Sequence, residues 1–445
     1  MSALIILGLI GSLLVIVSLW KSVWSIITAG LLLVPILLYW IESSVMEFSY
    51  CVTPWSLFVG LMVVIFYLYV HFWTKEERGD LLVLWGFVLL GTLVLLFSDS
   101  WVLVYLALEI QSLSLFIIIC NPGVLVSRAE ASLKYFVMAA ISSGLFLLGV
   151  FGVLVETGSL SISSCSYYLL PGSSLSWFYG LILCSLMFKL AAAPFHMWLP
   201  DVYQGASPLV VMLLSSTPKI GAWFLIVRVC EDQSILGLIT ISSLIVGAIG
   251  AVNQTSILRL IAYSSVAHMG FILWGLLFFS SYGSSVSCFY LVLYLISALG
   301  ALGVLIGSSI KHWNLVELSS LCSTSPIITF SLLVFILSMA GIPPLGGFVG
   351  KWWVIQLGVI EGQLIAPLTA VFTTIVGGFY YLRVIRFSYF EKPSSLIAWN
   401  RALSYKPPFN SFQGLFIGGF VFLMVFLILG PNSFISLLFW LLNMG

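Results

Sequence analysis

FKLAAAPFHMWLPDVYQGASPLVVMLLSSTPKIGAWF, residues 188–224, reads as two apolar helices around a break, each with an ammonium group inside its apolar run. Lys189 closes the run LILCSLMFK, and Pro194 follows five residues later; Lys219 stands directly after Pro218 in VVMLLSSTPKIGAWFLIV. A proline inside a helix removes a backbone hydrogen bond and crowds the preceding turn, which interrupts the first helix beyond Lys189. Broken backbone at membrane depth persists only where protein buries it or a hydrated cavity meets it. A lysine near the bilayer midplane costs about 2.5–3.5 kcal/mol on insertion scales, so it persists where it pairs or works.

The rest of the chain supports a membrane reading. Of its 445 residues, 61% are hydrophobic and 7% charged, against roughly 25% charged in soluble domains. A helix needs about 20 apolar residues to cross a bilayer core. Such runs lie near 2–20, 22–41, 54–73, 80–97, 101–120, 132–157, 177–198, 208–231, 235–253, 259–281, 286–310, 326–356, 362–388 and 414–442. The expected fold is an all-α polytopic membrane protein of about fourteen transmembrane helices.

Charge placement orients these spans. Eleven of the sixteen Lys and Arg residues fall in or beside odd-numbered loops: Lys21, Lys75, Arg78, Arg128, Arg259, Lys311, Arg383, Arg386, Lys392, Arg401 and Lys406. Arg228 alone borders an even-numbered loop, and Lys134, Lys189, Lys219 and Lys351 lie within spans. By the positive-inside rule the odd loops face the matrix or cytoplasm and both termini face the opposite side. Unusual residues also recur at a nearly constant offset: Glu109 and His268 are 159 positions apart, Lys189 and Lys351 are 162 apart. That offset covers five spans, an odd number, and predicts two inverted-topology repeats. The expected organisation is N-terminal helices over 1–79, repeats over 80–231 and 232–390, and a loop with a C-terminal helix over 391–445.

Several functions are excluded. A net charge of +1 leaves no basic cluster to neutralise nucleic-acid phosphates. The seven cysteines, Cys51, Cys120, Cys165, Cys184, Cys230, Cys288 and Cys322, form no Cys-x-x-Cys pair, so no metal or iron–sulfur site is expected and they read as small apolar residues. GGFVGKWW, residues 346–353, lacks the first Gly and the Ser/Thr of a phosphate-binding loop. Its Gly346 and Gly350 instead suit close helix contact. No nicotinamide or flavin motif is present, so no cofactor is expected and any redox chemistry belongs to partner subunits. The N-terminus MSALIILGLIGSLLVIVSLW has neither a basic n-region nor an Arg-rich amphipathic pattern, and the first helix is expected to be retained.

The chemistry rests on the buried ionisable groups. Glu109 lies in VLVYLALEIQSLSLFII, and Lys351 follows the Gly/Pro break in GIPPLGGFVGKWW, joining Lys189 and Lys219 as midspan charges. Burial penalises the charged form of lysine and carboxylate alike and brings reversible protonation within reach, which a proton relay requires. The competing reading is static: Glu109 pairs with one lysine while the others hydrogen-bond freed carbonyls or snorkel. His268, in LIAYSSVAHMGFIL, is either a relay group or a satisfied core residue. Lys134 in EASLKYFVM stands near a helix entrance, where it either snorkels or joins the relay.

Taken with NQTSILRLIAYSSVAHMGFIL (253–273) and GIPPLGGFVGKWW (341–353), the opening stretch resembles the antiporter-type membrane subunits of respiratory complex I, over roughly residues 80–390. DVYQGA after the break, LEIQSLSLF around Glu109 and a lysine at 219 in place of a His-Ala-Ala stretch make the chain most similar to the subunit 2 branch. The resemblance implies a proton-translocating subunit of NADH:ubiquinone oxidoreductase. Glu109 and Lys189 would form a charge pair, Lys219 the central connection and Lys351 the terminal proton-exchanging group. It also implies neighbouring antiporter-like subunits and lipid as partners, with NADH and quinone bound by other subunits. The mitochondrial inner membrane, or the bacterial inner membrane, is the expected location. Pro218 departs from the pattern and puts the local geometry of Lys219 in question. A stand-alone cation/proton antiporter and a static membrane scaffold are the alternative functions. A sodium carrier calls for clustered oxygen ligands, and Glu109 as the single midspan acid favours protons.

Tags fused to either terminus are expected to be cleaved by protease added on the intermembrane-space or periplasmic side. Protection from that side would refute the orientation.

Overall fold

The computed structural model describes residues 53–443 except 72, 74–78, 121–125, 166–174, 230–232, 279, 309–312, 320, 364, 393–410, 428 and 429. The spans expected at 2–20 and 22–41 lie outside the described residues. Regular structure among the described residues is helical. Its longer helices are α1 (Pro54–His71), α2 (Gly79–Phe97), α3 (Trp101–Cys120), α4 (Val126–Thr157), α5 (Leu175–Leu190), α6 (Trp198–Gly205), α7 (Pro208–Val229), α8 (Gln233–Val252) and α9 (Ile257–Leu276). They continue as α10 (Ser281–Gly307), α11 (Pro326–Ala340), α12 (Gly346–Ile360), α13 (Ile365–Tyr389), α14 (Ser411–Phe426) and α15 (Pro431–Asn443). Among the described residues eight helices are long and apolar enough to cross a membrane, with Leu81–Phe97, Ser176–Leu190 and Pro326–Ala340 shorter. Three expected spans are interrupted: 177–198 stops at Leu190, 326–356 divides into α11 and α12, and 414–442 divides into α14 and α15.

The described residues fall into two compact units, one holding 53–186 with Ser216–Val229 and the other Met187–Ser215 with 233–443. In the first, α2 packs against α3 and α3 against α4. Trp55 of α1 meets Trp223 with ring centroids 6.1 Å apart. The chain after α4 is pinned to the start of α3, because Trp101 N–H donates to Leu160 O at 3.0 Å and Ile162 N–H donates to Asp99 O at 2.7 Å. On α3 an exposed stripe, Val102, Leu106, Ile110, Leu113 and Ile117, lies opposite a buried one. That division follows the helical period of 3.6.

In the second unit α9 and α10 are buried around nearly their whole circumference. A helix that is apolar on every side has this position as its natural one. Helix α10 packs against α9, α11, α12, α14 and α15, while α8 packs against α9 and α13. Ser280 caps α10 by accepting from Gly283 N–H at 2.9 Å. Pro326 starts α11 at a position where its missing N–H costs nothing. Gly341 ends α11 with φ +79°, a conformation that favours glycine, and its N–H donates to Leu337 O and Ser338 O at 3.0 Å each.

Helix α12 then returns very close to α11. A Cβ added at Gly347 would lie 1.8 Å from Ser338 O, so the backbone itself would have to move. On the same helix a Cβ at Gly350 would lie 2.7 Å from Tyr290 Cδ2, and one at Gly346 would lie 3.2 Å from Leu293 Cδ2. The GxxxG pair thus lets α12 approach α10, as expected from the sequence.

Gly347→Ala is expected to destabilise the protein by about 1–3 kcal/mol through overpacking. Gly378→Ala, on α13 with open space around it, is the control. Thermal unfolding in detergent checks the pair, and equal midpoints would contradict the close crossing.

Candidate functional site

The break between α11 and α12 holds a cation. Helix ends leave their last four carbonyls without intrahelical donors and carry a partial negative charge. Lys351, in the second turn of α12 and 7% exposed, donates from Nζ to Met339 O at 2.8 Å and to Ala340 O at 2.9 Å. Gly341 is required here a second time, because a Cβ would meet Lys351 Cδ at 2.7 Å. The ammonium also faces the Phe271 ring, 5.5 Å from its centroid.

Phe271 leads to a buried polar cluster. It stands one turn beyond His268 on α9, and its ring centroid lies 5.6 Å from that of Tyr290 on α10. His268 is 5% exposed and bonded at both ring nitrogens: Nδ1 is 2.7 Å from the Tyr290 hydroxyl and Nε2 is 3.1 Å from the Tyr381 hydroxyl on α13. The Tyr294 ring lies 5.2 Å from the imidazole, and the Tyr380 ring 4.4 Å from Tyr381. Sequence reasoning singled out His268 and passed over its tyrosines. The signal for two of them was present: Tyr290 and Tyr294 are four residues apart, on one face of α10. A buried phenol also needs a partner for its hydroxyl.

The first break is built differently. Ala191 has φ +56°, Phe188 O accepts from the Trp198 indole at 3.0 Å, and Ala193 O accepts from Ser242 Oγ at 2.9 Å. Neutral donors take these carbonyls, and Lys189 stands half-buried in the last turn of α5. Its place is in the second unit, with His268 and Lys351.

Glu109 and Lys219 belong to the first unit. Half-buried Glu109 receives the Ser112 hydroxyl at 3.5 Å on Oε2 and shares its surroundings with Tyr105 and Tyr135. Lys219 is 2% exposed, and Pro218 lies inside α7 without ending it. The geometry that Pro218 put in question is therefore a continuous helix. Lys134 pairs with Glu130 one turn earlier at 2.8 Å, both exposed on α4.

Arginines tie the helix ends. Arg228, the exception to the loop asymmetry, donates to Asp99 Oδ1 at 2.8 Å and to Ser98 O at 2.6 Å, while Ser163 Oγ donates to Asp99 Oδ2 at 2.7 Å. Arg259 pairs with Asp201 at 2.9 Å in the second unit. Arg383 donates to Val252 O at 2.9 Å and also to Gln254 O, closing the end of α8.

A fold of apolar helices broken beside lysines, one half-buried and one buried, belongs to a class of membrane ion-moving proteins, and sequence comparison narrows it. The profile of the family described as NADH:quinone oxidoreductase/Mrp antiporter, TM, matches residues 98–377, and the chain belongs to this family. It is 38% identical over 376 residues to NADH-ubiquinone oxidoreductase chain 2 of Metridium senile, covering 82% of this chain and 97% of the relative. It is 36% identical over 355 residues to NADH-quinone oxidoreductase subunit N of Thioalkalivibrio sulfidiphilus, covering 75% of this chain and 74% of the relative. Among solved structures, a chain of respiratory complex I from Thermus thermophilus matches with a TM-score of 0.84 at 28% identity, over 97% of this chain and 98% of that one. The expected family and the all-helical fold with broken helices both stand.

Removing one partner of a buried ion pair is costly, whereas exposed pairs contribute little. Arg228 and Asp99 side chains are 19% and 11% exposed, against 39% and 35% for Arg259 and Asp201. Arg228→Met is therefore expected to destabilise by about 2–3 kcal/mol and Arg259→Met by less than about 1 kcal/mol. Unfolding midpoints of the two variants check the order.

Proposed function

We propose that this chain carries protons across the membrane as a subunit of an NADH:quinone oxidoreductase, and that Lys351 is a group that takes up and releases the proton. The Lys351 ammonium resting on two carbonyls of a broken helix carries this reading. Such a seat stabilises the cation with two backbone carbonyls, and among the described residues no carboxylate pairs with it to fix its charge. His268 with its phenols offers exchangeable protons a short distance away.

The remaining roles follow from the same reading. Glu109 and Lys189 act as a charge pair that biases one half of the path, Lys219 connects the halves, and His268 assists the second half. The halves correspond to inverted repeats over 80–231 and 232–390, with both termini on the outer side. Within the mitochondrial inner membrane, or a bacterial one, the chain is embedded among the other membrane subunits. NADH oxidation and quinone reduction take place on other subunits, and the enzymatic part of this chain is the translocation. Its own contribution is non-redox. The family description also names Mrp antiporters, which gives a stand-alone cation/proton antiporter as the second reading. Native gels separate the two, since an oxidoreductase subunit migrates in a large assembly with flavin and iron–sulfur proteins.

Lys351→Arg keeps a positive charge that does not dissociate, and Lys351→Met removes the charge. Both are expected to abolish most NADH-driven proton uptake at normal assembled-complex content. A fully active arginine variant would sink the carrier role. In the same assay Glu109→Gln should lower pumping more than assembly and Glu109→Asp should be milder; normal pumping by Glu109→Gln would rule out the charge pair.

A further inference from the structure

His268 is held by phenols on both ring nitrogens, one from α10 and one from α13. A neutral imidazole carries one N–H and one lone pair, so it donates to one phenol and accepts from the other. Three side chains thereby form a continuous hydrogen-bonded line, Tyr381–His268–Tyr290, in which the imidazole both donates and accepts, one phenol donates to it and the other accepts from it. Tyr290 and Tyr381 are each 2% exposed.

The line also has a direction. His268 is nine residues beyond Arg259, about 14 Å along the axis of α9. Tyr381 stands two residues before Arg383, whose guanidinium closes the end of α8, and beside Tyr380. Tyr290 packs against Gly350, the neighbour of Lys351. One end thus points to the arginine-bearing edge and the other to the lysine.

We propose that the Tyr381 and Tyr290 hydroxyls are proton-transfer groups, and that Tyr381 brings α13 into the path as the donor to His268. The inference rests on the proton-carrying reading above. A hydronium on the arginine-bearing side gives its excess proton to the Tyr381 oxygen and is left as water, as that hydroxyl's own proton passes to Nε2. The Nδ1 proton passes to the Tyr290 oxygen as Tyr290 releases its own to a water on the Lys351 side. Each O–H or N–H bond broken is matched by one formed, so one proton crosses, no net charge remains, and the imidazole ends in its other tautomer. Rotation of the hydroxyls with a flip of the imidazole ring, which turns its N–H back toward Tyr290, resets the line.

The test uses the assembled oxidoreductase in sealed membranes and measures NADH-driven proton uptake per electron, complex content, and the solvent deuterium effect on turnover. Tyr381→Phe keeps the ring and loses only the hydroxyl. It is expected to leave complex content unchanged, lower the rate of pumping by about a hundredfold, the lower end of what a proton-transfer group contributes, and raise the deuterium effect, which a packing role would not move. Tyr290→Phe tests the other nitrogen and serves if Tyr381→Phe does not assemble. An assembled variant of either kind with normal pumping and a normal deuterium effect overturns the proposal. Lys351→Met in parallel separates the two levels: if it too pumps normally, the proposed function fails, and if it alone fails to pump, only the tyrosine line is wrong.

Discussion

Inside a bilayer an open carbonyl that lines no hydrated cavity meets no water, and the protein must then supply the donor itself. The contact of Lys351 Nζ with Met339 O and Ala340 O answers that demand on both sides. The broken end of α11 needs donors, and a buried ammonium needs acceptors. Each group alone would be costly; together they offset one another. Much of the local architecture serves this meeting. Gly341 turns the chain in a left-handed conformation and leaves space for the lysine stem, and Gly347 brings α12 against Ser338. Gly350 then admits Tyr290.

The two breaks solve one problem with different chemistry. Near Lys189 an indole and a serine hydroxyl take the carbonyls of Phe188 and Ala193. Such donors do not change charge near neutral pH, so the structure there is indifferent to proton movement. At the second break the donor is itself titratable, and loss of its proton weakens the seat. Lys precedes the proline in one break and follows it in the other, which places the ammonium on opposite sides of the interruption.

Much of this was legible in the sequence, because insertion into a bilayer leaves strong marks. The expected span at 101–120 coincides with α3, and the interruptions at Pro194 and at Gly341–Gly350 fall where helices end. Interior lysines stood out because each is expensive. The partners of His268 were harder to find. Helices apolar on every side do not reveal which face meets protein, so Tyr290, Tyr381 and Phe271 look like any aromatic in a membrane span until α9, α10 and α13 are packed together. Arg228 was similarly opaque. Read along the chain it contradicts the loop asymmetry, and only folding shows it clamped to Asp99 and Ser98.

The second unit therefore handles charge in two ways. The lysine seat stabilises a full positive charge with the dipoles of a helix end. The phenol–imidazole line avoids charge, since a shift of bonds along neutral groups spares the desolvation that a free ion at this depth would incur. The Phe271 ring neighbours both, 5.5 Å from Nζ to its centroid and 5.6 Å from centroid to centroid with Tyr290. A phenyl ring neither gives nor accepts a proton, though its face attracts the ammonium. It holds the charged state of Lys351 next to the neutral line without joining them. On the proposed proton-carrying reading, passage from one to the other depends on a bridging water or a turn of the Tyr290 hydroxyl, and such a separation keeps protons from leaking between strokes.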